Sequence, residues 1–265
     1  MQESVLVVGQ SHVRCLGITG STIKSSGEKL DFMFQTVSPG PPKIEALLLY
    51  MGLMSPEKIV DVITEHANEK ILVLLWQGNF HLSEYLILRQ PMFDFVYSSE
   101  PALPLLRENI IVPEAMVEAA FERPLGDLHH WINKIRARRP DIRRIIVAAT
   151  PPPKGDEEFV RLRIQREFGL QRQEQLDTGS EYAVCAAVVR YKLWALFMRG
   201  YKKCAQSLDA EYLHIPVAAQ DESGFLRPEF YEDDVTHANR RYGDLFLQHL
   251  QNYLQKTGDS DASSL

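Results

Sequence analysis

Short runs of consecutive apolar residues constrain the fold of this chain more than any other feature of its sequence. They lie within the predicted strands at residues 5–8, 70–76 and 143–149, of which the second begins with Lys70 and the third with Arg143 and Arg144. Apolar runs of this length are typical of strands buried on both sides in a parallel sheet. Two weaker strand patterns occur at residues 30–37 and 211–215. The sequence therefore predicts five strands.

Segments with a helical pattern separate these strands. They lie at residues 13–16, 43–51, 56–67, 113–139 with a break at 124–126, 156–175 and 180–205, and a last amphipathic segment includes residues 242–254. Strands that alternate with helices form a mostly parallel sheet with helices on both faces. We therefore expect an α/β fold: a three-layer α/β/α sandwich around a mostly parallel, flavodoxin-like, five-stranded sheet.

The chain has no internal repeat and no linker-like composition that would divide it. We expect one domain over residues 1–257 and a disordered tail over 258–265, which is small and polar. Residues 82–112 carry large apolar side chains without a sustained period. They fit two interpretations equally well, an insertion that shapes a substrate pocket and an irregular segment of the core.

Charge and composition argue against two classes of partner. The chain has 29 basic and 35 acidic residues, and no basic patch that would bind nucleic acid is visible. The most apolar long stretch, residues 182–201, includes Arg190, Lys192 and Arg199, so a membrane span is not expected. The oligomeric state is left open.

The three cysteines, Cys15, Cys185 and Cys204, are widely spaced and odd in number. They form neither a disulfide framework nor a metal-ligand set, which fits a reduced, cytoplasmic setting. The N-terminus enters a strand directly, without the basic and apolar regions of a signal peptide. No histidine spacing suggests zinc, so we expect no metal and no cofactor.

Ser11 lies where the first strand gives way to a helix, after Gly9 and Gln10. At the carboxyl edge of a sheet, this position suits a nucleophile, but it also suits a phosphate contact or a helix N-cap. Near the other end of the chain, Asp234 and His237 are three residues apart. They can supply a base and its orienting carboxylate, or they can belong to the start of the final helix, with Asp233 and Asp234 as its caps.

Taken together, Gly9-Gln10-Ser11 and Asp234-Val235-Thr236-His237 resemble the two end motifs of the SGNH (GDSL-type) hydrolase family. The resemblance spans nearly the whole chain, although Gln10 replaces the usual aspartate. It implies a catalytic triad of Ser11, Asp234 and His237. It also implies an oxyanion hole made of the N–H of Ser11, a glycine after the second strand, Gly40, and an asparagine side chain after the third, Asn79. Gly40 and Asn79 can also be turn residues.

The resemblance implies a serine ester hydrolase that works through an acyl-enzyme, without a cofactor. Its substrates would be acyl esters, above all acetyl esters, of carbohydrates or other small alcohols. His12, Phe80 and His81 are candidate pocket residues because they adjoin the implied site residues. An acyltransferase on the same scaffold and a non-catalytic binding protein remain as alternatives.

Overall fold

The computed structural model describes residues 4–18, 22–23, 32–50, 55–67, 71–76, 79–89, 92–142, 144–168 and 182–262. The strands are β1 (Ser4–Gly9), β2 (Thr22–Ile23), β3 (Phe32–Ser38), β4 (Lys43–Leu49), β5 (Ile71–Leu75), β6 (Ile87–Arg89), β7 (Phe93–Asp94), β8 (Ile110–Ile111), β9 (Ile145–Ala148), β10 (Tyr182–Val184) and β11 (Glu211–Leu213). The helices are α1 (Pro56–His66), α2 (Phe80–Tyr85), α3 (Glu114–Ala120), α4 (Glu122–Arg138), α5 (Glu157–Phe168), α6 (Ala187–Ser207) and α7 (Arg240–Ala262). Short 3-10 helices occur at Ser11–Leu16, Val217–Ala219 and Pro228–Phe230.

The central sheet has seven strands in the order β11-β9-β5-β1-β4-β3-β2. β1 lies in the middle and pairs in parallel with β4 and β5, and β9 and β11 continue the sheet in parallel beyond β5. Beyond β4, β3 and β2 are antiparallel. The mostly parallel α/β sheet is confirmed, but it has seven strands in place of the predicted five.

Helices cover both faces of this sheet, which gives the predicted three layers. Leu6 and Val8 of β1 face a larger core that also contains buried residues of α1, α4 and α6. Val5 and Val7 face the opposite core, shared with the 3-10 helix Ser11–Leu16 and with α7. Alternate residues of one strand thus join two separate cores, because successive side chains of a strand point to opposite faces.

The main error in the predicted elements concerns residues 43–51, which were expected to be helical. They contain β4, the parallel neighbour of β1. Ile44 and the five residues that follow it are all buried. A strand covered on both faces has no polar alternation, so its pattern can be mistaken for that of a buried helix.

A second correction concerns the helical region at 113–139. Its break lies at Phe121, between α3 and α4, and not at residues 124–126. Pro124 lies in the first turn of α4, where a missing N–H does not disrupt the helix.

Residues 82–112 contain short strands that belong to two small sheets. β6 pairs antiparallel with β10, which occupies the start of the predicted helix 180–205, and β7 pairs in parallel with β8. Phe95 and Tyr97 are buried in the larger core, as the interpretation of a core segment requires.

Helix α7 continues through Ala262, so residues 258–262, expected in a disordered tail, are helical.

Candidate active site

The close packing of β1 against β5 fixes the chain at the carboxyl edge of the sheet. A Cβ atom on Gly9 would collide with the carbonyl oxygen of Leu75 and lie 2.8 Å from Cγ2 of Val13. Glycine is therefore required here, because a side chain would push β5 and the following helix away from β1. The turn that presents Ser11 depends on this contact.

Ser11 opens the 3-10 helix Ser11–Leu16, and Gln10 is the residue at the cap position. No side-chain hydrogen bond caps this helix. The interpretation of Ser11 as an N-cap is therefore wrong. As the first residue of a 3-10 helix, Ser11 has a main-chain N–H with no acceptor inside that helix. Both its hydroxyl and its N–H are placed at the edge of the sheet where ligands bind in such folds.

Asp234 and His237 form a close polar contact. Nδ1 of the His237 ring lies 2.6 Å from Oδ2 of Asp234. The other carboxylate oxygen, Oδ1, accepts hydrogen bonds from the main-chain N–H groups of Thr236 at 2.9 Å and His237 at 2.7 Å. The carboxylate therefore holds both the backbone and the ring of His237. This orientation leaves Nε2 of the ring as the nitrogen that can act on a substrate.

These contacts also set the charge of Asp234. Partial burial acts to raise the pKa of this carboxyl group, but the hydrogen bonds from the ring and main chain of His237, together with that from Thr236, outweigh it. The pKa of Asp234 is therefore held well below its ordinary value. The group is an anion at neutral pH and can stabilise positive charge on the ring beside it.

The final helix is capped by Asn239 and not by Asp233 or Asp234. The side-chain oxygen of Asn239 accepts hydrogen bonds from the N–H groups of Arg241 at 2.9 Å and Tyr242 at 3.3 Å. Helix α7 begins only at Arg240, so His237 precedes the helix. The alternative in which Asp234 and His237 serve only as the start of this helix is therefore wrong.

His12 brings the two ends of the chain together. Its ring centroid is 5.2 Å from that of His237. Nε2 of His237 is buried and has no hydrogen-bond partner among the described residues. Ser11 is the chain neighbour of His12, so the segment that carries the predicted nucleophile packs against His237 through the His12 ring. No hydrogen bond joins Ser11 to His237 within the described part of the chain, and such bonds often tighten only when substrate binds.

His12 and His81 add two buried imidazoles to this cluster; their exposed fractions are 6% and 1%. Burial lowers the pKa of His12 to about 3, with smaller contributions from His237 and His81, while Asp234 acts in the opposite direction. His12 is therefore neutral at neutral pH and adds no charge to the site. The described residues contain no group of three or more histidine, cysteine, aspartate or glutamate side chains that could hold a metal ion.

Asn79 follows β5, the strand beside β1, and occupies the cap position of α2. Its side chain makes no capping hydrogen bond, and its main-chain oxygen accepts from Leu82 and Ser83 at 3.0 and 2.9 Å. Asn79 lies in a turn that leads into α2, as the alternative interpretation of Asn79 as a turn residue expects. Phe80 packs on aromatic rings of the larger core, and its ring centroid lies 6.0 Å from that of Phe197.

Gly40 does not reach this site. Ser38 of β3 pairs with Ile44, and Lys43 of β4 pairs with Ser4, the first residue of β1. Gly40 thus lies at the amino end of β1, whereas Ser11 follows its carboxyl end; the two are separated by on the order of 15 Å at about 3.3 Å per strand residue. The proposed role of Gly40 as an oxyanion donor is therefore wrong. The parallel neighbour of β1 on the side away from β5 is β4. The next glycine after β4 in the sequence is Gly52, outside the described residues.

Lys154 is a residue at this site that sequence reasoning missed. It is 1% exposed and lies on the segment that follows β9, next to the loop of Asp234. The only signal in the sequence was its position after a predicted strand and three prolines. The loop is also fixed by Val235, which packs with Leu82 and Ile164 in a small separate core.

Comparisons with known proteins give similarity at the level of structure only. No family model matches the sequence, and no curated protein matches it. Helices in the described part of the chain are all too short or too polar to cross a membrane.

Several solved structures are similar to the chain over nearly its whole length. Phospholipase A1 from Streptomyces albidoflavus NA297 is 14% identical, with 95% of this chain and 99% of that chain covered and a TM-score of 0.49. An acetylxylan esterase from Geobacillus stearothermophilus is 11% identical over 97% of both chains, with a TM-score of 0.45. A GDSL-like lipase from Bacteroides thetaiotaomicron is 10% identical over 97% of this chain and 89% of that chain, with a TM-score of 0.44. Similarity of this extent leaves the geometry of the site as the basis for assigning an activity.

Proposed function

We propose that the protein is a serine ester hydrolase of the SGNH type, with Ser11 as nucleophile, His237 as general base and Asp234 as the orienting carboxylate. The observation that carries this proposal is the hydrogen bonding of the two ring nitrogens of His237. Nδ1 of the ring is held by Asp234 at 2.6 Å, while Nε2 is buried without a partner beside the segment of Ser11. A ring held in this way has its free nitrogen available for the serine hydroxyl.

In the proposed reaction, Oγ of Ser11 attacks the carbonyl carbon of an ester while Nε2 of His237 takes the hydroxyl proton. Asp234, as an anion, stabilises the imidazolium that forms. The N–H of Ser11 and the side-chain amide of Asn79 are the proposed donors to the oxyanion. His237 then gives its proton to the departing alcohol, and water hydrolyses the acyl-enzyme by the reverse sequence. The proposed substrates are acyl esters, acetyl esters first, of carbohydrates or other small alcohols.

The nucleophile is tested by labelling with a fluorophosphonate probe. We expect one adduct by intact mass, located at Ser11, and no adduct in Ser11→Ala or in His237→Ala at the same exposure. Serine and alanine differ little in volume at this partly exposed position, so Ser11→Ala serves as a folded control. Wild-type protein that is folded and remains unlabelled would contradict the proposal and favour a non-catalytic binding protein.

Hydrolysis and acyl transfer share the same acyl-enzyme, so the labelling experiment does not separate them. Turnover of p-nitrophenyl acetate, followed with and without an added alcohol acceptor, does so. A hydrolase releases acetate at a rate that the acceptor leaves unchanged. An acyltransferase releases p-nitrophenol faster when the acceptor is present and yields the new ester.

A further inference from the structure

Lys154 places a buried positive charge beneath the loop that carries Asp234 and His237. Its Nζ donates hydrogen bonds to the main-chain oxygens of Glu232, at 2.7 Å, and of Asp234. The same Nζ lies 3.6 Å from Oδ1 of the Asp234 carboxylate. One ammonium group therefore contacts both the backbone and the charged side chain of Asp234.

Two aromatic rings also stabilise a positive charge at Lys154, and a third group holds its backbone. Its Nζ lies 5.0 Å from the ring centroid of Phe159 and 5.2 Å from that of Tyr231, within the range of cation–π attraction. The main-chain oxygen of Lys154 accepts a hydrogen bond of 3.0 Å from buried Arg190. The lysine is thus held from both sides, through its backbone by α6 and through its ammonium by the loop.

The two oxygens of the Asp234 carboxylate face different partners. Oδ2 lies against Nδ1 of His237 at 2.6 Å, and Oδ1 faces Nζ of Lys154 at 3.6 Å. The negative charge that stabilises an imidazolium at His237 is therefore shared with the ammonium group of Lys154. A cation at this distance offsets part of the attraction between the carboxylate and the imidazolium.

We propose that Lys154 is a positioning residue for the Asp234–His237 pair, which anchors their loop and sets the pH range in which His237 is a neutral base. The proposal rests on the proposed function for its catalytic meaning. Its electrostatic part concerns the ring of His237 and can be measured without turnover. By offsetting the charge of Asp234, the ammonium favours the neutral ring, which is the form that accepts the proton of a serine.

Other titratable and charged groups face the pair from each neighbouring element. They are His12 on the 3-10 helix Ser11–Leu16, with His81 of α2 acting on His12, and Asp233 on the loop with its partners Arg163 and Arg166 on α5. His12 is neutral near pH 7, because its pKa is lowered to about 3. The carboxylate of Asp233 accepts hydrogen bonds of 2.6 and 2.7 Å from the two arginines, so its negative charge is offset by these partners. Among the described residues, Lys154 is the lysine or arginine whose side chain forms an ion pair with Asp234.

The test follows the ring of His237 by NMR as a function of pH, through its Cε1–H signal, in wild type, Lys154→Met and Lys154→Arg. Methionine keeps an unbranched side chain, one atom shorter than that of lysine, and removes its charge. We expect the pH midpoint of the His237 titration to rise by about half a unit or more in Lys154→Met. Lys154→Arg, which restores the charge, should return the midpoint close to that of wild type. The pH midpoint of kcat/KM should move in the same direction as the ring titration.

Tyr231→Phe is the matched structural control. The Tyr231 hydroxyl accepts a hydrogen bond of 3.0 Å from the N–H of Gly155, so its loss loosens the same junction without a change of charge. The midpoint should stay at its wild-type value in this variant.

An equal midpoint in wild type and folded Lys154→Met would overturn the proposal and leave Lys154 a structural residue. If Lys154→Met does not fold, Lys154→Gln, whose amide still donates to carbonyl oxygens, is measured against the same expectation. If the wild-type protein is not labelled at Ser11 but the His237 midpoint still rises in Lys154→Met, the proposed function is contradicted and this inference stands.

Discussion

The ring of His12 lies against the ring of His237, with 5.2 Å between their centroids, so the residue after the proposed nucleophile supports the proposed base. Because His12 is buried, protonation of its ring disfavours the folded state. This contact joins the two distant motifs of the sequence and makes the stability of the site sensitive to acid.

Lowering the pH should destabilise the protein through His12. The pKa of His12 is about 3 in the folded state and about 6.5 in an unfolded chain. The unfolded state therefore binds more protons between these values, and stability falls as the pH drops below about 6.5. Between pH 6.5 and 5 the loss is about 2 kcal/mol at 1.36 kcal/mol per unit. Urea unfolding of wild type and His12→Leu at pH 5, 6, 7 and 8 measures it.

In His12→Leu this component of the pH dependence should be absent, so the gap between variant and wild type should narrow as the pH falls. His129→Gln, at an exposed position on α4, is the control and should follow the wild-type curve. Parallel curves for wild type and His12→Leu would show that His12 does not stay neutral in the folded protein.

Asn79→Ala tests the oxyanion assignment. Loss of one preorganised donor typically lowers kcat by about a hundred- to a thousand-fold, with little change in the substrate constant. Asn79 makes no capping bond to α2, so its loss should have little effect on folding. Steady-state kinetics on p-nitrophenyl acetate measure the effect. Turnover close to wild type in folded Asn79→Ala would show that Asn79 is only a turn residue.

Gly9→Ala should be strongly destabilising, and Gly40→Ala should be nearly neutral. A Cβ on Gly9 meets the main-chain oxygen of Leu75, which can move only with β5, whereas a Cβ on Gly40 has no atom within 4 Å. We expect a loss of about 2 kcal/mol or more for Gly9→Ala. Gly40→Ala should change stability by less than about 0.5 kcal/mol. Chemical denaturation of the two variants compares them directly, and equal stabilities would contradict the close approach of β1 and β5.

Asn239→Ala should destabilise the protein more than the loss of an ordinary helix cap. Besides capping α7, its side-chain amide donates hydrogen bonds of 2.9 Å to the main-chain oxygens of Glu229 and Tyr231. We expect the free energy of unfolding to fall by about 2–3 kcal/mol, from the cap and the two partly buried hydrogen bonds together. We also expect a lower kcat, because the loop of His237 is anchored there.

Ser55→Ala is the matched control, since the Ser55 side chain only caps α1, by accepting a hydrogen bond of 3.3 Å from the N–H of Lys58. It should lower stability by about 1 kcal/mol or less and leave kcat unchanged. Equal losses in the two variants would show that the bonds to Glu229 and Tyr231 contribute nothing.

The contacts within the Asp234–His237 motif could be predicted from sequence because they are local. A three-residue spacing in a turn brings a carboxylate to both the main chain and the ring of the histidine, and the structure shows that arrangement. The position of Gly40 could not be predicted, because it depended on which segment pairs with β1. Once residues 43–51 were taken as a helix, β3 was treated as the neighbouring parallel strand, and the glycine after it was placed at the wrong end of the sheet.

The role of Lys154 also could not be predicted from the sequence, because its contacts join distant parts of the chain. Its partners Glu232 and Asp234 are 78 and 80 residues further along the chain, and no local pattern links them. A lysine after three prolines reads as a surface turn residue unless the tertiary fold is known. The alternation of strands and helices, by contrast, was sufficient for the layered architecture, because each element has to bury its own apolar face.

The two ends of the chain meet at the site, and this has a consequence for its synthesis on the ribosome. The guanidinium of Arg240 donates a hydrogen bond to the carbonyl oxygen of Leu16, 224 residues earlier, and Gly243 lies so close to Cys15 that a Cβ there would collide with its main chain. The segment of Ser11 therefore leaves the exit tunnel long before the residues that complete its surroundings. A nascent chain carries the serine without its histidine while all the residues between them are translated. A ribosome that stops before Asp234 releases a polypeptide that carries the described strands but lacks the Asp234–His237 pair.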